Sequence, residues 1–116
     1  MSGLISYLNG KAAEDNVEAE YGRRGMDSER KRFRGGGGEI DLILRDGEGF
    51  VFVEVKRARD FARAAARLSM AQFSRIQRAA LAFVANQPKG MLTEMRFDLA
   101  LVDEAGRCKI IENVMA

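Results

Sequence analysis

The chain of 116 residues contains no histidine and a single cysteine, Cys108. Without histidine, zinc sites built on Cys and His are excluded, as are Ser-His-Asp and Cys-His catalytic systems. A lone cysteine excludes a disulfide framework within the chain, and we expect Cys108 to be packed in a late strand. Any catalysis must therefore use carboxylates, lysine, a hydroxyl or a bound metal.

Long apolar runs are missing as well. No segment approaches the roughly 20 apolar residues that span a bilayer, and the N-terminus lacks a basic start followed by such a run. We therefore expect a cytoplasmic protein that does not enter membranes. The length fits one domain over residues 1–116, and 47% hydrophobic with 31% charged residues is typical of a globular chain.

Positive charge is concentrated in two runs, although the formal net charge is only +2. The first run covers residues 30–34 and reads Arg-Lys-Arg-Phe-Arg. The second covers residues 56–67, where Asp60 is the only acidic residue. A basic patch beside acidic groups would suit a polyanion that must be brought to a metal, and a pair of solvated loops is the alternative.

The most informative stretch is residues 35–56, in which two strongly apolar segments are joined by a turn over residues 46–49. This pattern predicts a β-hairpin. Side chains alternate between the two faces of a strand. One face of the second strand therefore carries Val51, Val53 and Val55, and the other carries Phe52, Glu54 and Lys56.

Three charges stand inside these apolar segments. Glu54 and Lys56 emerge side by side, and Asp41 can reach them from the neighbouring strand. Burying a charge is costly unless it is paired or holds a metal. The interpretation that needs no metal is a buried ion-pair network that sets the strand register.

The functional interpretation is a site for a hard divalent cation. Asp41 and Glu54, with the carbonyl of Val55 and waters, can complete an octahedron suited to Mg²⁺ or Mn²⁺. Lys56 is placed to hold or activate the attacking water, or to stabilise charge on a phosphorane. Glu14 could join from a helix beneath the sheet. Such a site would hydrolyse a phosphodiester.

The first helix is expected from about Leu4 to Arg24, broken or loosened at Gly10 and closed by Gly25. Its apolar stripe consists of Ala13, Val17 and Tyr21. Glu14 lies on or beside this stripe, and the alternative to a site role is a boundary residue paired with an arginine.

A polar strand at the sheet edge is expected over residues 26–34. We interpret the glycines at 35–38 as a flexible entry to the hairpin that lets a ligand's backbone come close, with an ordinary loop as the alternative. After Lys56 the sequence indicates a basic connector with a short helix capped by Asp60.

A firmer helix is predicted over residues 69–86. Ser69 and Gln72 fit a capping box, but Gln72 also shares a face with Ile76 and Phe83 that would point it at the carboxylates. Both alternatives remain open, with the cap favoured. Arg75 and Arg78 lie off that stripe and should be exposed.

Two further strands are predicted over residues 94–102 and 107–114. Asp98 lies inside the first of them, and its expected role is structural, with Arg96 or a basic residue of the connector as its partner. The order of helix, strand, hairpin, helix, strand, strand predicts an α/β sandwich with a mixed sheet.

Asp41 followed by Glu54-x-Lys56 resembles the signature of the PD-(D/E)xK nucleases. Four local segments together resemble the YraN-like family of small bacterial proteins, which are similar to archaeal Holliday-junction resolvases. The segments are Gly10-Lys-Ala-Ala-Glu14, Gly38-Glu-Ile-Asp-Leu-Ile43, Val51-Phe-Val-Glu-Val-Lys56 and Arg96-Phe-Asp98, within residues 10–102.

The resemblance implies a three-layer α/β/α-type nuclease core, a mixed β-sheet flanked by helices. Glu14, Asp41, Glu54 and Lys56 match its catalytic positions, with the metal on Asp41, Glu54 and Val55. Two departures from the family's pattern bear on substrate contacts. Gln72 stands where family members tend to have a lysine, and the glycines before the hairpin stand in place of an arginine-bearing strand end. Relatives among the resolvases work as dimers, so a homodimer is implied as well.

The leading hypothesis is a Mg²⁺- or Mn²⁺-dependent endonuclease acting on branched or flapped DNA. The alternative is an accessory protein that binds nucleic acid in a DNA-processing assembly with little or no activity, and a third is a self-associating structural domain. The candidate nucleic-acid contacts are Arg30, Lys31, Arg32, Arg34, Arg57, Arg59 and Gln72.

Overall fold

A computed structural model of the chain describes residues 2–114, and the side chains of residues 9–114. Three helices, five strands and one short 3-10 helix follow one another in the described chain. They are α1 (Ser2–Arg23), β1 (Asp27–Gly35), β2 (Gly38–Asp46), β3 (Gly49–Arg57), α2 (Phe61–Ala65), α3 (Met70–Val84), the 3-10 helix (Gly90–Leu92), β4 (Met95–Val102) and β5 (Cys108–Ile111).

The five strands form one sheet in the order β1-β2-β3-β4-β5. Only β3 and β4 run parallel, and the other neighbours are antiparallel. The crossover from β3 to β4 contains α2 and α3, as a parallel pair requires. The prediction of a mixed sheet is confirmed, and the hairpin of residues 35–56 is β2, a tight turn and β3.

Each face of the sheet is covered by one long helix, which gives three layers. Helix α1 packs its stripe of Ala13, Val17 and Tyr21 against the valines of β3. Helix α3 packs Ile76 and Phe83 against the phenylalanines on the opposite face. The alternation of valine and phenylalanine along β3 thus assigns each face to its helix.

Helix α1 continues through Gly10, so the predicted loosening there is wrong. Glycine inside a helix costs about 1 kcal/mol relative to alanine. The buried stripe that follows Gly10 offsets this cost, because all three of its side chains are at most 2% exposed. The packing of α1 against the sheet therefore outweighs the low helix propensity of Gly10.

The glycines at 35–38 are not a flexible entry. Gly36 and Gly37, with φ of 58° and 83°, form the two-residue turn of the β1–β2 hairpin. This turn packs on the backbone of α3. A Cβ on Gly36 would lie 2.5 Å from the carbonyl oxygen of Arg78, and one on Gly38 would overlap the carbonyl oxygen of Arg75. The glycines therefore permit a close approach of hairpin and helix.

Gly38→Ala should lower the free energy of unfolding by about 1–3 kcal/mol, because hairpin and helix must separate to admit the methyl group. Chemical denaturation measures the effect. Gly22→Ala, in α1, is the control: nothing lies within 4 Å of a Cβ there, and we expect a gain of up to about 1 kcal/mol. A Gly38→Ala protein as stable as wild type would contradict this packing.

Asp98 of β4 has the structural role expected of it, and Arg96 is its partner. Two Arg96 nitrogens donate to its carboxylate at 2.9 Å, and the Tyr21 hydroxyl donates at 2.7 Å. The backbone N–H of Asn113 completes the set at 3.0 Å. Burial raises the pKa of the Tyr21 hydroxyl, and its bond to Asp98 raises it further. This network joins α1, β4 and the segment after β5.

Helices α3 and α2 each begin at the capping residue that the sequence indicates. Ser69 accepts a hydrogen bond from the N–H of Gln72 and caps the helix. Asp60 likewise caps α2 by accepting from the N–H of Arg63. Arg75 and Arg78 are exposed, as predicted. In the described part of the chain, none of the helices has the length and apolar character needed to span a membrane.

Candidate functional site

The candidate site begins where β2 separates from β3. The ladder between these strands runs from the Asp46–Gly49 pair to the Leu42–Val53 pair. Beyond it, the N–H of Val55 donates to Oδ2 of Asp41 at 2.8 Å. A carboxylate thus replaces the backbone acceptor of the ladder. This bond holds Asp41 at Val55. It therefore places Asp41 next to Glu54, the residue before Val55 in the sequence.

Glu54 lies on the face of β3 that α3 covers, and it is only 7% exposed. Two donors reach its Oε2 atom. Gln72 Nε2 donates at 2.6 Å, and Lys56 Nζ lies at 3.3 Å. The predicted convergence of Asp41, Glu54 and Lys56 is therefore present.

The sequence left open whether the Gln72 side chain completes the helix cap or points at the carboxylates. Its backbone N–H donates to Ser69 Oγ at 3.0 Å, so Ser69 does cap the helix. Its side chain, however, extends to Glu54 and does not return to the cap. The favoured capping box is thus wrong for the Gln72 side chain.

The carboxyl group of Glu54 is strongly affected by its surroundings, Asp41 among them. The pKa of Glu54 is raised to about 8, first by burial and then by the charge of Asp41 and a hydrogen bond with it. Lys56 lowers this pKa but does not cancel the rise. A proton on Glu54 relieves the repulsion between the two neighbouring carboxyl groups, and a cation bound between them would do the same.

Glu14 approaches from α1 on the other side of Asp41. Burial raises the pKa of its carboxyl, and the nearby charge of Asp41 adds to the rise. Arg32 Nε lies 3.2 Å from Glu14 Oε1 and opposes these effects. Glu14 is thus paired with an arginine, as the alternative interpretation expected, and it also faces the site.

Arg32 is in the left-handed region, with φ of 51°. It falls between the β1–β2 pairs Lys31–Leu42 and Phe33–Ile40, directly across from Asp41. This conformation is costly for a residue with a Cβ, and such strain is often found at functional sites. Here it occurs at the residue whose guanidinium meets Glu14.

The donors available to a cation are two carboxylates and the Val55 carbonyl. Among the described residues, no three acidic, cysteine or histidine side chains come close enough to hold a metal together. Mg²⁺ keeps several waters and is commonly bound by only one or two protein carboxylates together with substrate phosphates. Asp41 and Glu54 therefore fit Mg²⁺ or Mn²⁺, and Glu14 would contribute through water.

A cavity of about 450 Å³ opens beside these groups. Glu14 lines it from α1, and Val55 and Lys56 line it from β3. Arg57 and Arg67 add two guanidinium groups. Arg67 was absent from the predicted contacts, and the only sign of it was its place at the end of the second basic run.

The first basic run is engaged with acidic residues. Lys31 Nζ lies 2.7 Å from Glu18 and 3.5 Å from Asp15, both on α1. Arg34 Nε lies 3.6 Å from Glu39, and Arg32 binds Glu14. Arg30 stacks over the ring of Phe33 at 5.2 Å. Much of the charge in residues 30–34 thus fastens β1 to its neighbours.

The stability of the metal-free protein should fall as pH rises from 4.5 to about 8. The carboxyl group of Glu54 binds its proton more tightly in the folded state than in the unfolded state. The unfolded state therefore binds fewer protons in this pH range. Since one pKa unit corresponds to about 1.4 kcal/mol, the loss should reach a few kcal/mol. Chemical denaturation across this range measures it. Glu54→Gln should flatten the profile, and an equally steep profile in this variant would contradict the assignment.

Comparison with known proteins shows the family to which this chain belongs. Residues 13–102 match the model of the family described as "Uncharacterised protein family UPF0102". A UPF0102 protein of Ruegeria pomeroyi is 54% identical over 111 residues, covering 96% of this chain and 90% of the relative. One from Cereibacter sphaeroides strain ATCC 17029 is 51% identical over 116 residues, covering 100% and 99%. The matched region contains Glu14, Asp41, Glu54 and Lys56, and the chain belongs to the UPF0102 family, the YraN-like group.

Proposed function

We propose that this protein is a metal-dependent endonuclease that hydrolyses phosphodiester bonds in branched or flapped DNA. The observation that carries the proposal is the pairing of Asp41 and Glu54 at the point where two strands separate, with Lys56 3.3 Å from Glu54. Glu54 is buried, and its pKa is raised by that burial and by the charge of Asp41, so a cation between the two groups could take the place of the proton.

Asp41, Glu54 and the carbonyl of Val55 would hold Mg²⁺ or Mn²⁺. The bound ion would lower the pKa of its water and neutralise charge on the phosphate. The Val55 amide holds Asp41 in place through one oxygen, which leaves the other oxygen available. Gln72 fixes Glu54 in the same way. The protein thus orients both ligands before the substrate arrives.

Lys56 provides the positive charge next to the reacting phosphate. Its ammonium group is largely buried, with 18% of the side chain exposed, so solvent screens its charge only partly. In that position it can orient the attacking water or stabilise the negative charge of the transition state. Glu14, with its raised pKa, can accept or donate a proton through water.

DNA is the proposed substrate because one cavity is lined by Glu14 and Lys56 together with Arg57 and Arg67. Guanidinium groups bind phosphates well, and a polyanion gains from several such contacts. The preference for branched or flapped DNA follows from the likeness to junction resolvases. Gln72 faces Glu54 in this chain, so it supports the metal site more directly than it contacts substrate.

The test is a cleavage screen of four-way junctions, flaps, duplexes and single strands with Mg²⁺ or Mn²⁺. Wild type and Glu54→Gln are compared, and Mn²⁺ binding to each is measured by calorimetry. We expect cleavage and Mn²⁺ uptake by wild type and neither by the variant. Lys56→Ala should lose cleavage while retaining Mn²⁺ uptake.

Other outcomes separate the alternatives. Salt-sensitive DNA binding without cleavage of any substrate would favour the accessory role. A wild-type protein that takes up no Mn²⁺ would remove the metal site and the proposal with it. If DNA binding is also absent, a self-associating structural domain becomes the better interpretation, and light scattering would measure the association.

A further inference from the structure

The cavity beside the site has two sides of opposite charge. Glu14 lines it from α1, and Lys56, Arg57 and Arg67 line it from the end of β3 and the turn after α2. Glu14 is already paired with Arg32 at 3.2 Å. The guanidinium groups of Arg57 and Arg67 make no salt bridge with any residue in the described part of the chain. Positive charge at this cavity is therefore unbalanced on one side.

Arg67 is held in place by a backbone group. Its Nη1 donates to the carbonyl oxygen of Arg57 at 2.9 Å. A guanidinium carries five N–H donors, so four remain for a ligand. The bond ties Arg67 to the last residue of β3, next to Lys56, and reduces the entropy lost when these donors bind an anion.

Around the cavity, the described residues offer no aromatic ring on which a nucleobase could stack. None of its eight described lining residues is aromatic, and its apolar members are small or aliphatic. Proteins that hold unpaired bases usually stack them on aromatic rings. The described lining, with two arginines and without a ring, is suited to the sugar-phosphate backbone.

We propose that Arg57 and Arg67 form a subsite for the phosphodiester next to the one cleaved, and that this subsite binds the backbone without contacting a base. The inference rests on the proposed nuclease function and names how that site holds its substrate. It predicts that affinity depends on phosphate charge and not on base identity in the bound segment.

The test is fluorescence anisotropy with labelled flap DNA in EDTA, where no cleavage occurs. Arg57→Gln and Arg67→Gln should each weaken binding about five- to tenfold and reduce the salt slope by about one. The matched control is Arg63→Gln, which removes the same charge from a residue paired with Asp60 outside the cavity. It should bind within about twofold of wild type, as expected for an exposed charge.

Two further measurements make the result specific. Thermal unfolding should show that Arg57→Gln and Arg67→Gln are folded, and calorimetry should show unchanged Mn²⁺ uptake. Single strands of equal length with and without bases should bind equally well to wild type. Loss of affinity for the strand that lacks bases would overturn the backbone-only subsite.

Failure here differs from failure of the nuclease proposal. If Arg57→Gln and Arg67→Gln both bind like Arg63→Gln, the subsite is wrong, while cleavage that depends on Glu54 would still support the nuclease. If Arg67→Gln binds weakly but Glu54→Gln cleaves normally, the subsite stands and the metal mechanism falls. Absence of DNA binding by wild type would overturn the subsite.

Discussion

Asp41→Asn is expected to abolish Mn²⁺ uptake and to slow cleavage at least 100-fold, which corresponds to about 3 kcal/mol of transition-state stabilisation. The amide oxygen of asparagine can still accept the hydrogen bond that Val55 donates at 2.8 Å. The separation of β2 and β3 should therefore be preserved. Only the charge that attracts a cation and raises the pKa of Glu54 is removed.

The effect on stability distinguishes this variant from a folding defect. The metal-free Asp41→Asn protein should be as stable as wild type or more so, because one of two adjacent acids has become neutral. Calorimetry, cleavage assays and chemical denaturation measure the three quantities. Asp46→Asn, at the exposed end of the same strand, is the control and should change none of them. An Asp41→Asn protein with wild-type Mn²⁺ affinity would exclude Asp41 as a ligand.

The largest stability effect is expected for Asp98→Ala, at about 3–5 kcal/mol, since the donors of Tyr21, Arg96 and Asn113 lose their common acceptor at about 1–3 kcal/mol each. Arg96 keeps an ion pair with Glu112 at 3.3 Å, which limits its share of the loss. The Asp98 side chain is fully buried and receives four hydrogen bonds. The Tyr21 hydroxyl would lose its acceptor as well. The N–H of Asn113 would lose its acceptor too, which loosens the segment after β5.

Asp15→Ala is the matched control for this prediction. Asp15 also pairs with two cations, Lys11 at 3.2 Å and Lys31 at 3.5 Å, but its side chain is 48% exposed. Exposed pairs contribute at most about 1 kcal/mol, so the change should be small. Urea denaturation of both variants gives the comparison. Equal losses would show that burial does not set the strength of the Asp98 network.

The parts of the site on the β2–β3 hairpin could be predicted because they depend on local rules. Alternation along a strand places Glu54 and Lys56 on one face, and a short turn brings the strand of Asp41 alongside. The same alternation separated the valine face of β3 from the face that carries Phe52, Glu54 and Lys56. The metal ligands proposed here therefore follow from about twenty consecutive residues.

The remaining parts depend on which elements meet in three dimensions. No local pattern shows that Gly38 contacts the backbone of α3, or that Arg32 takes a left-handed conformation to meet Glu14. The last strand ends at Ile111, short of the predicted 114, because the N–H of Asn113 binds Asp98 instead of the ladder. The length of β5 is therefore set by Asp98, a residue of β4.

The irregular backbone of β1 has a consequence for how copies of this protein meet. Strand β1 lies at an edge of the sheet, where unpaired backbone groups can recruit a strand from another molecule. Its register shifts between Ser28 and Arg30, and Arg32 takes a left-handed backbone conformation. Four cationic side chains lie on the same strand. Strand addition at β1 is therefore disfavoured, which protects the chain from edge-to-edge aggregation.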